Sequence, residues 1–244
     1  MLALRNWVTL SFAAGVLAAL AACAGGPGVL PSEGSGPAAE APAYRIGDRW
    51  VYHGIEGFRV KTEWDETHEV TAIGPEGITV RITQMGPPPV NATRTELWTA
   101  PGQLKVGAAY ENETRRFGVP LQLYNFPLAA GKVWNQWVDT SNDTTRERGQ
   151  LNRYVRVAGW DKVSTSAGSF DAIRLDVLMR LDDETFWRYA TTCNYAVWYA
   201  PAARAMIREE LDAQYAEKDG GLEGGAAIRT QHGTLELVSF TPGR

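Results

Sequence analysis

The chain has 244 residues, 44% hydrophobic and 10% aromatic, with 24 Lys and Arg against 28 Asp and Glu for a formal charge of −4. That balance leaves no basic surplus to hold a phosphate backbone, so nucleic acid is not an expected partner. Two cysteines exclude a disulfide-stapled scaffold and a cysteine-built zinc site.

The chain opens with a short n-region carrying Arg5, followed by an uncharged stretch from Trp7 to Leu20. At about 1.5 Å per residue this stretch falls short of the ~30 Å hydrocarbon core, so it reads as a signal h-region and not as a spanning helix. Leu20-Ala21-Ala22-Cys23 follows at once. This resembles the lipobox of bacterial lipoproteins, which implies cleavage after residue 22 and acylation of Cys23. Small residues admit the backbone to a peptidase cleft, and the thiol accepts the acyl group. Ala24 rather than Asp follows the cysteine; by the enteric sorting rule, the resemblance implies the outer membrane. At ~0.8 kcal/mol per buried methylene, several chains would anchor the protein stably. Residues 24–43 hold five Gly, four Pro, five Ala and no aromatic residue. They read as a tether with a reach of about 25 Å.

From Tyr44 to Arg244 a single β-rich domain is expected, because period-two alternation dominates. In 58–70 the even positions run Phe58, Val60, Thr62, Trp64, Glu66, His68 and Val70, cleanest in the first half. Ile78, Val80 and Ile82 alternate with polar residues, as do Ile173, Leu175, Val177, Met179 and Leu181. Further strands are expected near 49–54, 93–98, 102–107, 133–140, 150–158, 160–165, 185–190, 194–200, 204–211 and 228–240. Residues 108–118 are the one helix candidate. Short strands in antiparallel succession predict an all-β fold, either a strongly curved antiparallel sheet or a barrel. A faint echo relates Gly47-Asp-Arg-Trp50 to Gly131-Lys-Val-Trp134, each with an aromatic residue upstream.

Four phrases carry a wider resemblance: Gly47-Asp-Arg-Trp50, Pro127-Leu-Ala-Ala-Gly131-Lys-Val-Trp134, Val163 to Ala172, and Trp198-Tyr199-Ala200-Pro201. Together the sequence is similar to a group of uncharacterised bacterial envelope lipoproteins. That group resembles the lipoprotein carriers LolA and LolB, which implies an antiparallel half-barrel around an apolar cavity. Ala202 stands where the group has Gly after the last phrase. The resemblance carries no catalytic residue.

The residues offer little chemistry of their own. His53, His68 and His232 lack zinc-protease spacing. His68 among Asp65, Glu66 and Glu69 has the residue types of a metal site, set against the alternative of a solvated strand end. No Gly-x-Ser-x-Gly elbow or phosphate loop occurs. Asp182-Asp183-Glu184 reads as a turn, and Cys193 as a small buried residue. No cofactor or metal is expected. Eight of the nine tryptophans follow Cys23; Trp50, Tyr52, Trp64, Trp134 and Trp198 are the candidate ligand-binding residues. The leading expectation is a non-enzymatic outer-membrane lipoprotein that binds an acyl chain or another envelope component at an aromatic-lined concave face. A scaffold binding an envelope protein, and a cell-wall polysaccharide binder or hydrolase, are the alternatives.

Overall fold

Alternating apolar and polar residues become strands because successive side chains point to opposite faces. The computed structural model describes Gly34 and residues 36–87, 92–142, 144–183, 187–218 and 227–244; the leader and Cys23 lie outside them. Twelve strands follow in order: β1 (Arg49–Glu56), β2 (Thr62–Gly74), β3 (Gly77–Met85), β4 (Ala92–Ala100), β5 (Gln103–Ala108) and β6 (Thr114–Gln122). They continue as β7 (Val133–Ser141), β8 (Arg148–Thr165), β9 (Gly168–Asp183), β10 (Thr191–Ala200), β11 (Ala205–Ala216) and β12 (Ile228–Thr241). Each strand pairs with the next, and β12 returns to β1 to close a barrel.

The closure corrects the half-barrel expectation while keeping the all-β class. β1 and β12 pair from Arg49 opposite Thr241 to Glu56 opposite Gly233, so both potential sheet edges are satisfied. The helix expected over 108–118 is absent. Glu111 takes a positive φ of 52° in the turn before β6, and Arg115, Phe117 and Leu121 then point inward. A second correction falls on 58–70. Phe58 and Val60 are exposed in the β1–β2 connection, whereas Glu66 and His68 occupy inward positions of β2.

The interior side of β8–β10 is apolar, with Val155 and Val157 facing Ile173, Leu175, Val177, Val197 and Tyr199. The outer wall is charged: Arg81–Glu69, Arg156–Asp176 and Arg229–Glu217 pair at 2.6, 2.8 and 2.7 Å. Each such exposed pair contributes about 0–1 kcal/mol. Their placement is the reverse of a lipid-facing barrel, whose outer belt is apolar.

Up-and-down topology puts the connections before even-numbered strands at one end, here the mouth. Both chain ends lie at the other end, here the floor. The long β8–β9 hairpin shifts register between Val157 and Gly159, and its Val163 and Ala172 join the cluster of Trp50, Tyr52 and Leu237. Trp50 stacks on Phe240 at 5.4 Å with Tyr44 edge-on, while Tyr124, Phe126 and Tyr199 form a second group of rings. The described end of the expected tether packs here as well. Ala39 and Leu128 exchange two 2.8 Å backbone bonds, Gly34 bridges Trp160, and Trp160 Nε1 donates to Pro37 O at 3.0 Å. A free tether over the whole of 24–43 is therefore too long. These small residues bury little area of their own, but their backbones find partners on the barrel.

The faint sequence echo has a physical counterpart. Gly47 and Gly131 take φ of 87° and 82°, a region costly for residues with a Cβ. Gly47 N donates to Val70 O and Gly131 N to Val157 O, each at 2.8 Å. The next residue closes the same turn in both places, Asp48 N to Arg45 O and Lys132 N to Ala129 O, each at 3.0 Å. β1 and β7, six strands apart, thus begin identically.

Candidate functional site

The barrel encloses a cavity of about 750 Å³. Tyr44, Trp50 and Tyr124 form its floor; Glu56, Thr62, Glu111 and Asn112 stand at its mouth, where the lining becomes solvent-exposed. Tyr52, Trp64, Trp98 and Tyr195 line the height between. Gly54 makes room for Trp64: a Cβ there would lie 2.2 Å from the indole, so the ring rests directly over the β1 backbone.

One side of this cavity is a hydrogen-bonded polar circuit built by β2, β3, β4 and the β5–β6 turn. Arg94 reaches Glu66 at 3.3 Å, Glu96 at 3.4 Å and Asn112 at 2.7 Å. Asn112 donates to Gln84, and Gln84 donates back to Glu66, each at 2.5 Å. His68 Nε2 lies 2.5 Å from Glu66, and Trp98 Nε1 donates to Glu96 at 3.0 Å. Burial alone would raise the carboxyl of Glu66. Its hydrogen bond with His68, the charges of His68 and Arg94 and the Gln84 hydrogen bond outweigh that and hold it at about 2. The circuit is satisfied within itself, as a buried polar network must be to persist.

Three strands round the barrel from β2, β11 places Glu209 in the lining between Ile207 and Leu211 in sequence. Glu209 forms no hydrogen bond or ion pair among the described residues. Burial, reinforced by the charge of Glu66 and opposed by Arg153, pushes its carboxyl up to about 7. Arg153 of β8 donates to Gln122 O and Leu123 O at 2.9 and 3.0 Å, and burial lowers its guanidinium to about 10.

Of the five sequence-chosen aromatics, Trp50, Tyr52 and Trp64 line the cavity; Trp134 and Trp198 do not. Trp134 points inward but packs with Tyr124 and Val155, its Nε1 donating to Gln122 O at 3.2 Å. Trp198 alternates outward, between Arg174 at 5.3 Å and Arg208 at 5.5 Å, with its Nε1 donating to Asp161. Strand alternation also divides the histidine cluster. Asp65 turns outward to His53 at 3.1 Å and Glu69 to Arg81, leaving Glu66 alone beside His68. Among the described residues no group of three His, Cys, Asp or Glu is placed to hold a metal. Cys193 lies in the core with Met179 and Leu181, and burial pushes its thiol up to about 12, far from a nucleophile's range. Cys23 lies outside the described residues.

The circuit itself escaped the sequence reading, although a signal for it existed. The inward parity of Trp64 and Val70 runs straight through Glu66 and His68. Likewise the parity of Ile207 and Leu211 runs through Glu209.

No protein-family model matches the chain, and no curated protein matches it. Two solved structures share the fold, each with a TM-score of 0.51, 12% identity, and coverage of 84% of this chain and 100% of the other. One is a "putative lipoprotein" from Parabacteroides distasonis; the other is a "putative exported protein with YmcC-like fold" from Bacteroides fragilis. At that identity the likeness is one of fold.

Proposed function

We propose that the chain is an exported lipoprotein, anchored at the outer membrane through acylated Cys23, whose barrel holds a small ligand with an apolar body and performs no chemistry on it. The observation that carries this reading is the cavity. At about 750 Å³ it falls within the ~300–1,000 Å³ range of small-molecule sites, and aromatic rings and a few convergent polar groups line it together. The lipobox and the fold shared with a lipoprotein-named and an exported-named protein support the address. The carrier-like role implied by the resemblance to LolA and LolB suits the same cavity.

The test is binding of an environment-sensitive apolar fluorophore to the leaderless chain beginning at Ala24, which keeps the floor contacts of Gly34 and Ala39. Saturable one-site binding that quenches tryptophan and weakens in Tyr52→Ala is expected. A chain that is folded yet binds nothing removes the ligand reading. Mass spectrometry of the exported protein tests the anchor: an unmodified Cys23 removes it.

One observation favours the scaffold alternative. Trp137, Tyr154 and Leu178 are 57%, 39% and 48% exposed on the outer face of β7–β9, with Tyr154 directly opposite Leu178. A photo-crosslinker at position 137 that traps one fixed envelope protein in cells would support that reading. Crosslinks spread over many proteins would dismiss it.

A further inference from the structure

Resting on that reading of the cavity, we propose that its ligand carries a cationic nitrogen, an alkylamine-type or quaternary-ammonium amphiphile whose charged head sits against Glu209. The lining holds six carboxyl groups and two guanidinium groups. Most of the six are already served: Arg94 spans Glu66 and Glu96, Glu113 pairs with Arg115, and Glu56 accepts from Gln231 at 2.9 Å. Glu111 stands at the solvent-exposed mouth. Arg94 is taken up by the circuit, and Arg153 gives its Nη1 to two backbone carbonyls while its charge acts on Glu209 without a salt bridge between them. Among the described carboxyl groups of the lining, Glu209 alone lies below the mouth without a hydrogen bond or ion pair.

Its surroundings are those of a cation site. The groups whose charge or ionisation couples to Glu209 come from several elements: Tyr52 on β1, Glu66 on β2, Tyr124 at the floor, Arg153 on β8, and Cys193 and Tyr195 on β10. Tyr52 and Tyr195 spend their hydroxyls elsewhere, donating to Met206 O at 3.0 Å and Ala109 O at 3.1 Å. These tyrosines line the cavity together with Glu209 and leave its carboxylate unsatisfied. A buried charge without a partner is costly, and an incoming cation relieves that cost while gaining attraction from aromatic faces. An incoming carboxylate meets the repulsion of Glu209 and Glu66, with Arg153 to set against them. An acidic cavity of this kind thus sorts amphiphiles by head group, not by chain.

The experiment holds the chain length fixed and varies the head. Dodecylamine, dodecyltrimethylammonium, dodecanol and dodecanoate are titrated calorimetrically, below their aggregation limits, into the chain from Ala24 at pH 8. Both cations are expected to bind at least about ten-fold tighter than dodecanol, with dodecanoate weakest. Glu209→Gln should bring the cations to the level of dodecanol and leave dodecanol unchanged; Glu69→Gln, on the outer wall, should alter nothing. Should Glu209→Gln fail to fold, the unaltered chain at pH 5 serves instead, because there the carboxyl, pushed up to about 7, is protonated and the cation preference should shrink. Dodecanoate binding as tightly as dodecylamine would overturn the cation assignment while leaving the cavity reading intact. A cation preference that survives both Glu209→Gln and pH 5 would overturn it too. Binding by none of the four sinks both.

Discussion

β1 and β7 start from the same glycine turn, yet the halves they begin line the barrel differently. In the first half, β2–β4 turn Glu66, His68, Gln84, Arg94 and Glu96 toward the interior. In the second, β8–β10 turn Val155, Leu175, Val177 and Val197 inward, with Arg153 as the charged member. The turns differ at one position in a telling way. Asp48 is fully buried and binds Arg204 at 2.9 Å and Gly243 N at 2.7 Å, whereas Lys132 binds the carbonyls of Asn125 and Pro127. Opposite charges thus pin equivalent strand starts. The shared turn is what the architecture requires. The divergent interior is not, since a barrel half closes equally well over valine and leucine.

Substitutions can break or sharpen that contrast. The largest effect belongs to the apolar half: Leu175→Ala should cost about 2–5 kcal/mol in denaturant unfolding, through lost transfer and an unfilled hole. Its folded fraction should still bind probe. Glu66→Gln comes next, at about 1–3 kcal/mol near neutral pH, because it breaks charge-assisted bonds in a buried circuit. The sign with pH follows from a carboxyl held at about 2 when folded and near 4.5 otherwise. Its stabilisation is complete above about 4.5 and drains away as pH falls toward 2, so the Gln variant should lose that slope in an acid titration followed by circular dichroism. Gly47→Ala and Gly131→Ala should each cost about 1–2 kcal/mol, and nearly the same, since neither added Cβ meets an atom closer than 3.6 Å and the backbone conformation alone is penalised. Markedly unequal melting shifts would show that the two starts are not equivalent. The smallest effect is expected for Trp198→Ala, about 1 kcal/mol or less from its two arginine contacts, with probe affinity unchanged.

How much of this was legible depended on what stood at the inward positions. β3 and β9 announce themselves through apolar runs at inward positions, Ile78, Val80 and Ile82 in one and Ile173, Leu175, Val177, Met179 and Leu181 in the other. β6 hides because a fully buried Arg115 occupies an inward position, where it bonds Thr140 and Glu113. β2 hides its orientation because both of its faces carry charge. Trp198 misleads because Val197, Trp198 and Tyr199 are all apolar, which leaves parity undecided until Arg174 and Arg208 claim the indole from outside. Trp134 misleads differently: its parity is right, but packing with Tyr124 and Val155 keeps it out of the cavity. Closure was beyond reach of any local pattern, since the β1–β12 ladder joins residues almost the whole domain apart. The polar circuit lay in plain view as an unbroken alternation, and was missed by assuming that inward means apolar.

The clip at Gly34 and Ala39 has a directional consequence. Ten residues, not twenty, separate Cys23 from the first described floor contact, which at full stretch is about 35 Å of chain. The clip fixes the point where the described chain joins the barrel, at the end away from the cavity's opening.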